Sequence, residues 1–311
     1  MEERHIVSTS LFCKALFCKF IILYVYLKLL IFNRVTPPGG TWVTCEEAQP
    51  TGQVHEVDPF IGGSQQQTVL GGTGGNYESF AYDARIRLEP TFYVTNDSSA
   101  GGLVRFTPDP AVVVAAENTG DYSQVLTTMG TLEWLILEPA TDSASDTSGG
   151  FRWTDSREDA DNNAYAYYRS TEGIDIRNGI LYMTAKTTKS LFILDLDGLT
   201  YERSSTRSGA FEGQPDQIRG IISDDPNSDM LYFCEEASSD NNGVHARDIE
   251  GNFYTIINGP GLNSETTGLA FSPDNKRMYV SYQGPGIIFE ISRIDGYPFG
   301  AHRLDIKYHA S

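Results

Sequence analysis

The sequence predicts an all-β protein of the β-propeller type, and three observations predict it. Short aromatic and β-branched runs recur along the chain with turn residues between them. No amphipathic helix of normal length stands out. Acidic residues precede several of the runs at a nearly constant spacing. The composition agrees: 311 residues include 30 Gly, 14 Pro, 17 Tyr and 16 Phe. That mixture suits pleated, half-buried strands joined by tight turns.

Two segments are expected. Residues 1–36 form an apolar N-terminal segment and residues 37–311 the propeller domain. Leu11 to Phe32 is strongly apolar, interrupted by Lys14, Lys19 and Lys28. Its cleanest stretch, Phe20 to Leu27, has the length of a signal-peptide core, with Lys14 and Lys19 as the positive flank. Lys28 interrupts a full membrane span. The segment therefore reads as an export signal, an anchor holding residues 11–32 at a membrane, or a start foreign to the domain. Export is favoured, which places the protein outside the cell or in a periplasm.

From Pro37 onward, strands and turns alternate. Gly179–Thr184 and Ser190–Leu196 read as one hairpin, and Arg277–Tyr282 with Gly286–Ile291 as another. Asp142–Gly150 is small and polar and reads as a surface loop. The tripeptide Cys-Glu-Glu closes two apolar runs, at Cys45-Glu46-Glu47 and Cys234-Glu235-Glu236. Each would bring a thiol and two carboxylates to a sheet edge. Only 4 Cys are present, and Cys13 and Cys18 lie in the apolar tract. Cys45 and Cys234 could form one disulfide, or one could serve as a thiolate ligand.

The acidic spacing carries the functional argument. Glu78, Glu172, Asp216 and Glu265 each stand before a strand, at intervals of 94, 44 and 49 residues. Propeller blades repeat at roughly 40–50 residues, so the first interval spans two blades. An acid before the inner strand of successive blades would face one mouth of the central channel. Any one of them could simply satisfy its own turn. Four at a blade period favour cation binding, because clustered carboxylates repel unless a metal neutralises them. Counting back, an earlier blade would begin near the end of the apolar tract, so the first blade is expected to be incomplete or irregular.

Charge narrows the partners. The formal net charge is -18, which repels polyanions and argues against nucleic acid. Carboxylate oxygens suit hard cations such as calcium. None of His5, His55, His245, His302 and His309 sits in a recognisable catalytic pattern.

On these residues the chain resembles the PhoX-type alkaline phosphatases, from about Gly40 to His309. The resemblance is carried by Thr41–Glu47, Gly75–Phe80, Thr171–Asp175, Gly213–Ile218, Phe233–Glu236 and Glu265–Asp274. It implies a six-bladed propeller with calcium and iron as cofactors, hydrolysing phosphate monoesters of small phosphorylated substrates. It implies Cys45 as the thiolate ligand of iron and Glu78 and Glu172 as carboxylates at the iron pair. Asp216, Glu235 and Glu265 fall at the calcium-side acids, and Glu46 at a further ligand. The family often has a phosphate-binding Arg where this chain has Ser170. Arg169 is the nearest cation and the catalytic candidate. Glu236 stands where an Asp is usual, and about one blade of the family domain is absent or replaced.

Three readings follow. The first is a secreted metal-dependent phosphatase. The second is a non-catalytic calcium-binding propeller, and the third a gluconolactonase-like hydrolase with a single metal.

Overall fold

Where the inner strands lie is decided by a repeated defect in their pairing. The computed structural model describes residues 39–58, 60–141, 143–221, 229–236, 242–258, 262, 264–300 and 307–308. The expected N-terminal segment, with Cys13 and Cys18, lies outside them. The chain is all-β and of the propeller type, in two compact units, Arg34–Arg207 and a second containing Ser208–Ser311.

In the first unit, β1 (Trp42–Cys45), β3 (Val54–Val57) and β4 (Gln66–Gln67) form a small sheet. β2 (Glu47–Gly52) lies along β5 (Gly75–Asp83). β5, β6 (Thr91–Asn96), β7 (Val104–Pro108) and β8 (Gly130–Pro139) make one antiparallel blade. After β9 (Ser148–Thr154), a second blade follows: β10 (Thr171–Arg177), β11 (Ile180–Ala185), β12 (Ser190–Asp195) and β13 (Thr200–Ser205). β9 pairs with β8 on one side and β13 on the other, joining both blades in a 10-stranded sheet. The sequence reading ended a loop at Gly150. Instead Ser148 to Gly150 are ladder residues, because their small side chains let β9 run between two strands.

In the second unit, β14 (Gln214–Ile221), β15 (Met230–Glu236), β16 (Gly243–Asp248) and β17 (Phe253–Asn258) form a blade. β18 (Thr266–Phe271), β19 (Arg277–Tyr282) and β20 (Ile287–Ser292) form a three-stranded sheet, and β21 (Lys307–Tyr308) borders β17. Both expected hairpins are present, as β11–β12 and β19–β20.

Two helices depart from the sequence reading. α1 (Pro110–Thr119) has Asp109 as its cap, Pro110 in its first turn and Gly120 at its end with φ 74°. These are ordinary start and stop signals. They were masked by Val112-Val113-Val114, a β-branched run that reads as strand. α2 (Arg157–Tyr167) is capped by Ser156, which accepts from Asp159 N–H at 3.3 Å. Its buried face is only Ala160 and Ala164, so no stripe of large apolar residues announces it. Among the described residues no helix is long and apolar enough to cross a membrane.

The first unit's larger core lies between its two blades and α2, around Leu135, Leu181, Phe192, Leu194 and Tyr168. Tyr168 is fully buried, and its hydroxyl donates to Leu135 O at 2.7 Å. The second unit packs Tyr232, Cys234, Phe271, Met278 and Phe299 together.

The defect recurs at four inner hairpins, two of them within the 10-stranded sheet. Two residues of the inner strand oppose one of its neighbour: Glu78-Ser79 against Thr95, Glu172-Gly173 against Thr184, Asp216-Gln217 against Cys234, Gly268-Leu269 against Val280. Such a bulge re-aims the side chain at its first position. In the first unit the opposing threonine ties it down. Thr95 Oγ1 accepts from Ser79 N–H at 2.9 Å, and Thr184 Oγ1 accepts from Gly173 N–H at 2.9 Å.

Thr184→Val keeps the side-chain volume but leaves a buried N–H without its acceptor. It should lower stability by about 1–3 kcal/mol. Urea denaturation reads this directly, and an unchanged midpoint would show that the hydroxyl carries no weight.

Candidate metal centre

Glu78 and Glu172 occupy the first bulge position of β5 and β10. Both are buried, at 3% and 1% exposure. A carboxylate oxygen of each lies within 4.8 Å of the other. The two inner strands are held side by side through threonines. Thr95 donates to Glu172 O at 2.6 Å, and Thr171 Oγ1 accepts from Asn96 N–H at 2.9 Å. The backbone at both carboxylates is therefore fixed from both blades.

A third carboxylate and one cation stand beside them. Lys186 follows β11 directly, and its Nζ lies 2.7 Å from Glu172 Oε1 and 2.8 Å from Asp97 Oδ2. Burial opposes the Lys186 charge, but Glu172 and Asp97 outweigh it and raise its pKa. Asp97 is placed by a two-way backbone link: its N–H donates to Asn76 O at 2.7 Å, and Asn76 Nδ2 donates to Asp97 O at 2.7 Å. Glu78 and Glu172 are two buried acids drawn together, and such a pair favours a cation between them. The Glu78–Glu172 pair could bind a metal.

The remaining predicted residues are placed differently. Cys45 packs among Val54, Leu70, Tyr77 and Phe92, and does not join Glu78 and Glu172 within the same 4.8 Å. Glu46 accepts from Gln53 N–H at 3.0 Å and approaches His55 Nδ1 at 3.8 Å, serving its own hairpin. Arg169 donates from Nε to Tyr165 O, and its guanidinium lies 3.7 Å from the Tyr165 ring centroid. In the second unit, Asp216 holds the same bulge position as Glu78 and Glu172, and is 1% exposed. Glu265 lies before β18. The residue at the bulge there is Gly268, with φ 63°, a backbone conformation that glycine adopts without strain.

Glu235 is committed to protein donors. It is 2% exposed and accepts from Gly213 N–H at 2.7 Å, Gly243 N–H at 3.0 Å and His245 Nε2 at 3.0 Å. His245 stacks on Phe211, ring centroids 4.4 Å apart, and its Nδ1 is 3.3 Å from Thr255 Oγ1. Burial pushes the Glu235 carboxyl up, but His245 and the two amides outweigh it and leave it lowered. Cys234, opposite the Asp216 bulge, is fully buried. Burial, with the charges of Asp216 and Glu265, pushes its thiol pKa well up, so it stays neutral. Neither Cys45 nor Cys234 is in a disulfide, against the alternative of a bond between them.

Asp97 and Lys186 were missed in the sequence. Asp97 sits in Asn-Asp-Ser-Ser and Lys186 in Lys-Thr-Thr-Lys, both ordinary turn compositions. The available signal was position: each is the first residue beyond an inner-hairpin strand, on the side where the bulged acids lie.

Pseudomonas fluorescens PhoX, solved in complex with vanadate, matches with a TM-score of 0.59 at 15% identity, over 81% of this chain and 59% of that one. The likeness is one of fold. The chain has a PhoX-like β-propeller fold and spans 59% of the length of that neighbour. A chain of the nidogen/laminin complex matches with a TM-score of 0.49 at 14% identity, over 81% of this chain and 74% of that one. Apo AztD from Citrobacter koseri follows at 0.44 and 13%, over 89% and 74%. No family model and no curated protein sequence matches the chain.

The lowered Glu235 pKa has a consequence for acid stability. The carboxylate stabilises the fold above its ordinary pKa of 4.5, and that contribution is lost as pH falls through its lower folded value. Glu235→Gln should therefore be less stable at neutral pH and lose less on acidification between about pH 5 and about pH 3. Thermal melts across that range check this, and parallel curves for the two proteins would contradict it.

Proposed function

We propose that this protein is an exported, metal-dependent phosphate-monoester hydrolase, with a calcium ion held by Glu78 and Glu172. The observation that carries the reading is the pair of buried carboxylates, each presented by an inner-strand bulge and drawn within 4.8 Å. The PhoX-like fold supports it. So does the vanadate complex of that neighbour, described as a transition-state analogue.

The donor set fits a hard cation. Glu78 and Glu172 offer oxygen only, the ligand calcium prefers. Iron held by a thiolate does not fit the same place, because Cys45 does not join these carboxylates and packs among apolar side chains. When bound, a cation here would neutralise phosphate oxygens and lower the pKa of bound water.

The chain's own residues do the rest. Thr95 and Thr171 fix the backbone that carries the two carboxylates. Lys186 holds Glu172 in one position. Asp97 in turn holds Lys186.

One observation favours the non-catalytic calcium-binding reading. Arg169, the cation expected to meet substrate phosphate, spends its guanidinium on Tyr165. Hydrolysis of p-nitrophenyl phosphate separates the two readings. The phosphatase reading predicts turnover with calcium, loss of it with chelator, and at least about a hundredfold loss in Glu172→Gln. Calcium binding without turnover, across varied metals and pH, would leave the binding module.

A further inference from the structure

We propose that the Lys186 ammonium is a tethered cation filling one seat between Glu172 and Asp97, beside Glu78, and so sets how many free ions these carboxylates take. The inference rests on the reading above that Glu78 and Glu172 bind a cation, and it names the residue that limits that binding.

The first support is the contact itself. Nζ bridges two carboxylates from different blades, at 2.7 Å to Glu172 and 2.8 Å to Asp97. This pair therefore already holds a cation, supplied by the chain. The second support is delivery. Lys186 N–H donates to Ser170 O at 2.8 Å, and Lys186 O accepts from Lys189 N–H at 3.1 Å. The stem thus starts from a fixed point at the tip of the β11–β12 hairpin. Ser170 itself is held by its N–H to Ser98 O at 3.1 Å. The third support is charge. A free ion and the ammonium both draw on Glu172, so each weakens the other's hold on it.

This differs from a plain tie between blades in what happens when the charge is removed. A tie, once cut, weakens the fold whatever the solution contains. A filled cation seat, once emptied, can be filled again from solution.

Lys186→Met has a similar reach without the charge, and Lys186→Arg keeps the charge. Calcium binding by equilibrium dialysis, with thermal melts in chelator and in calcium, is the test. The Met variant should bind one more calcium per chain, or bind it about tenfold tighter. Its melting temperature should fall in chelator and recover in calcium, while the Arg variant follows the unaltered protein. Calcium binding by the Met variant that is unchanged or weaker overturns the proposal. If the Met variant folds only when calcium is present, the proposal stands. If it folds in neither solution while the Arg variant folds, the proposal fails. The unaltered protein binding no calcium while the Met variant does would support the seat and remove the calcium reading of the native chain. Neither binding would remove both.

Discussion

The inner-strand bulge is the constraint on which the rest depends. In a regular ladder successive side chains alternate between faces, and an acid at every blade would be satisfied or exposed independently of its neighbours. Two residues opposing one break that alternation and turn the first side chain out of the sheet. The break is costly unless the displaced N–H finds an acceptor. Thr95 and Thr184 supply it in the first unit. The same two-against-one register recurs in the second unit, with Asp216 and Gly268 at the first position. One local device thus recurs at four inner strands, with an acid at its first position in three of them and glycine in the fourth.

Burial then divides the acids by how their charge is compensated. Glu235 is answered entirely by named protein donors: two backbone amides and His245. Its oxygens are used within the fold, and its lowered pKa reflects that. Glu172 and Asp97 share the Lys186 ammonium, while Glu78 and Glu172 lie close enough to hold a cation between them.

Much of this was legible in the sequence. The fold class and both hairpins follow from periodicity. Glu172 and Asp216 recur with their blades at the expected spacing, but the 94 residues from Glu78 to Glu172 hold one blade extended by β9 and α2, not two blades. Glu265 was taken by the same spacing, but the register puts the bulge three residues later, at Gly268, which no search for acids could find. The two Cys-Glu-Glu copies are unlike. The first straddles the end of β1 and the start of β2, and the second lies inside β15. Cys234 opposes a bulge as Thr95 and Thr184 do, a role fixed by pairing register. Lys186 and Asp97 were hidden because their importance comes from two hairpins meeting. α1 and α2 were hidden because one carries a valine run and the other buries only alanines.

The central claim is that the bulge acids of the first unit hold a hard cation between them. Terbium luminescence, with terbium standing in for calcium, tests it most directly in the unaltered protein and in Glu78→Gln, Glu172→Gln and Glu235→Gln. The account predicts calcium-displaceable terbium binding that is lost in the first two variants and kept in the third. Binding that survives both Glu78→Gln and Glu172→Gln, or that disappears only with Glu235→Gln, would contradict it.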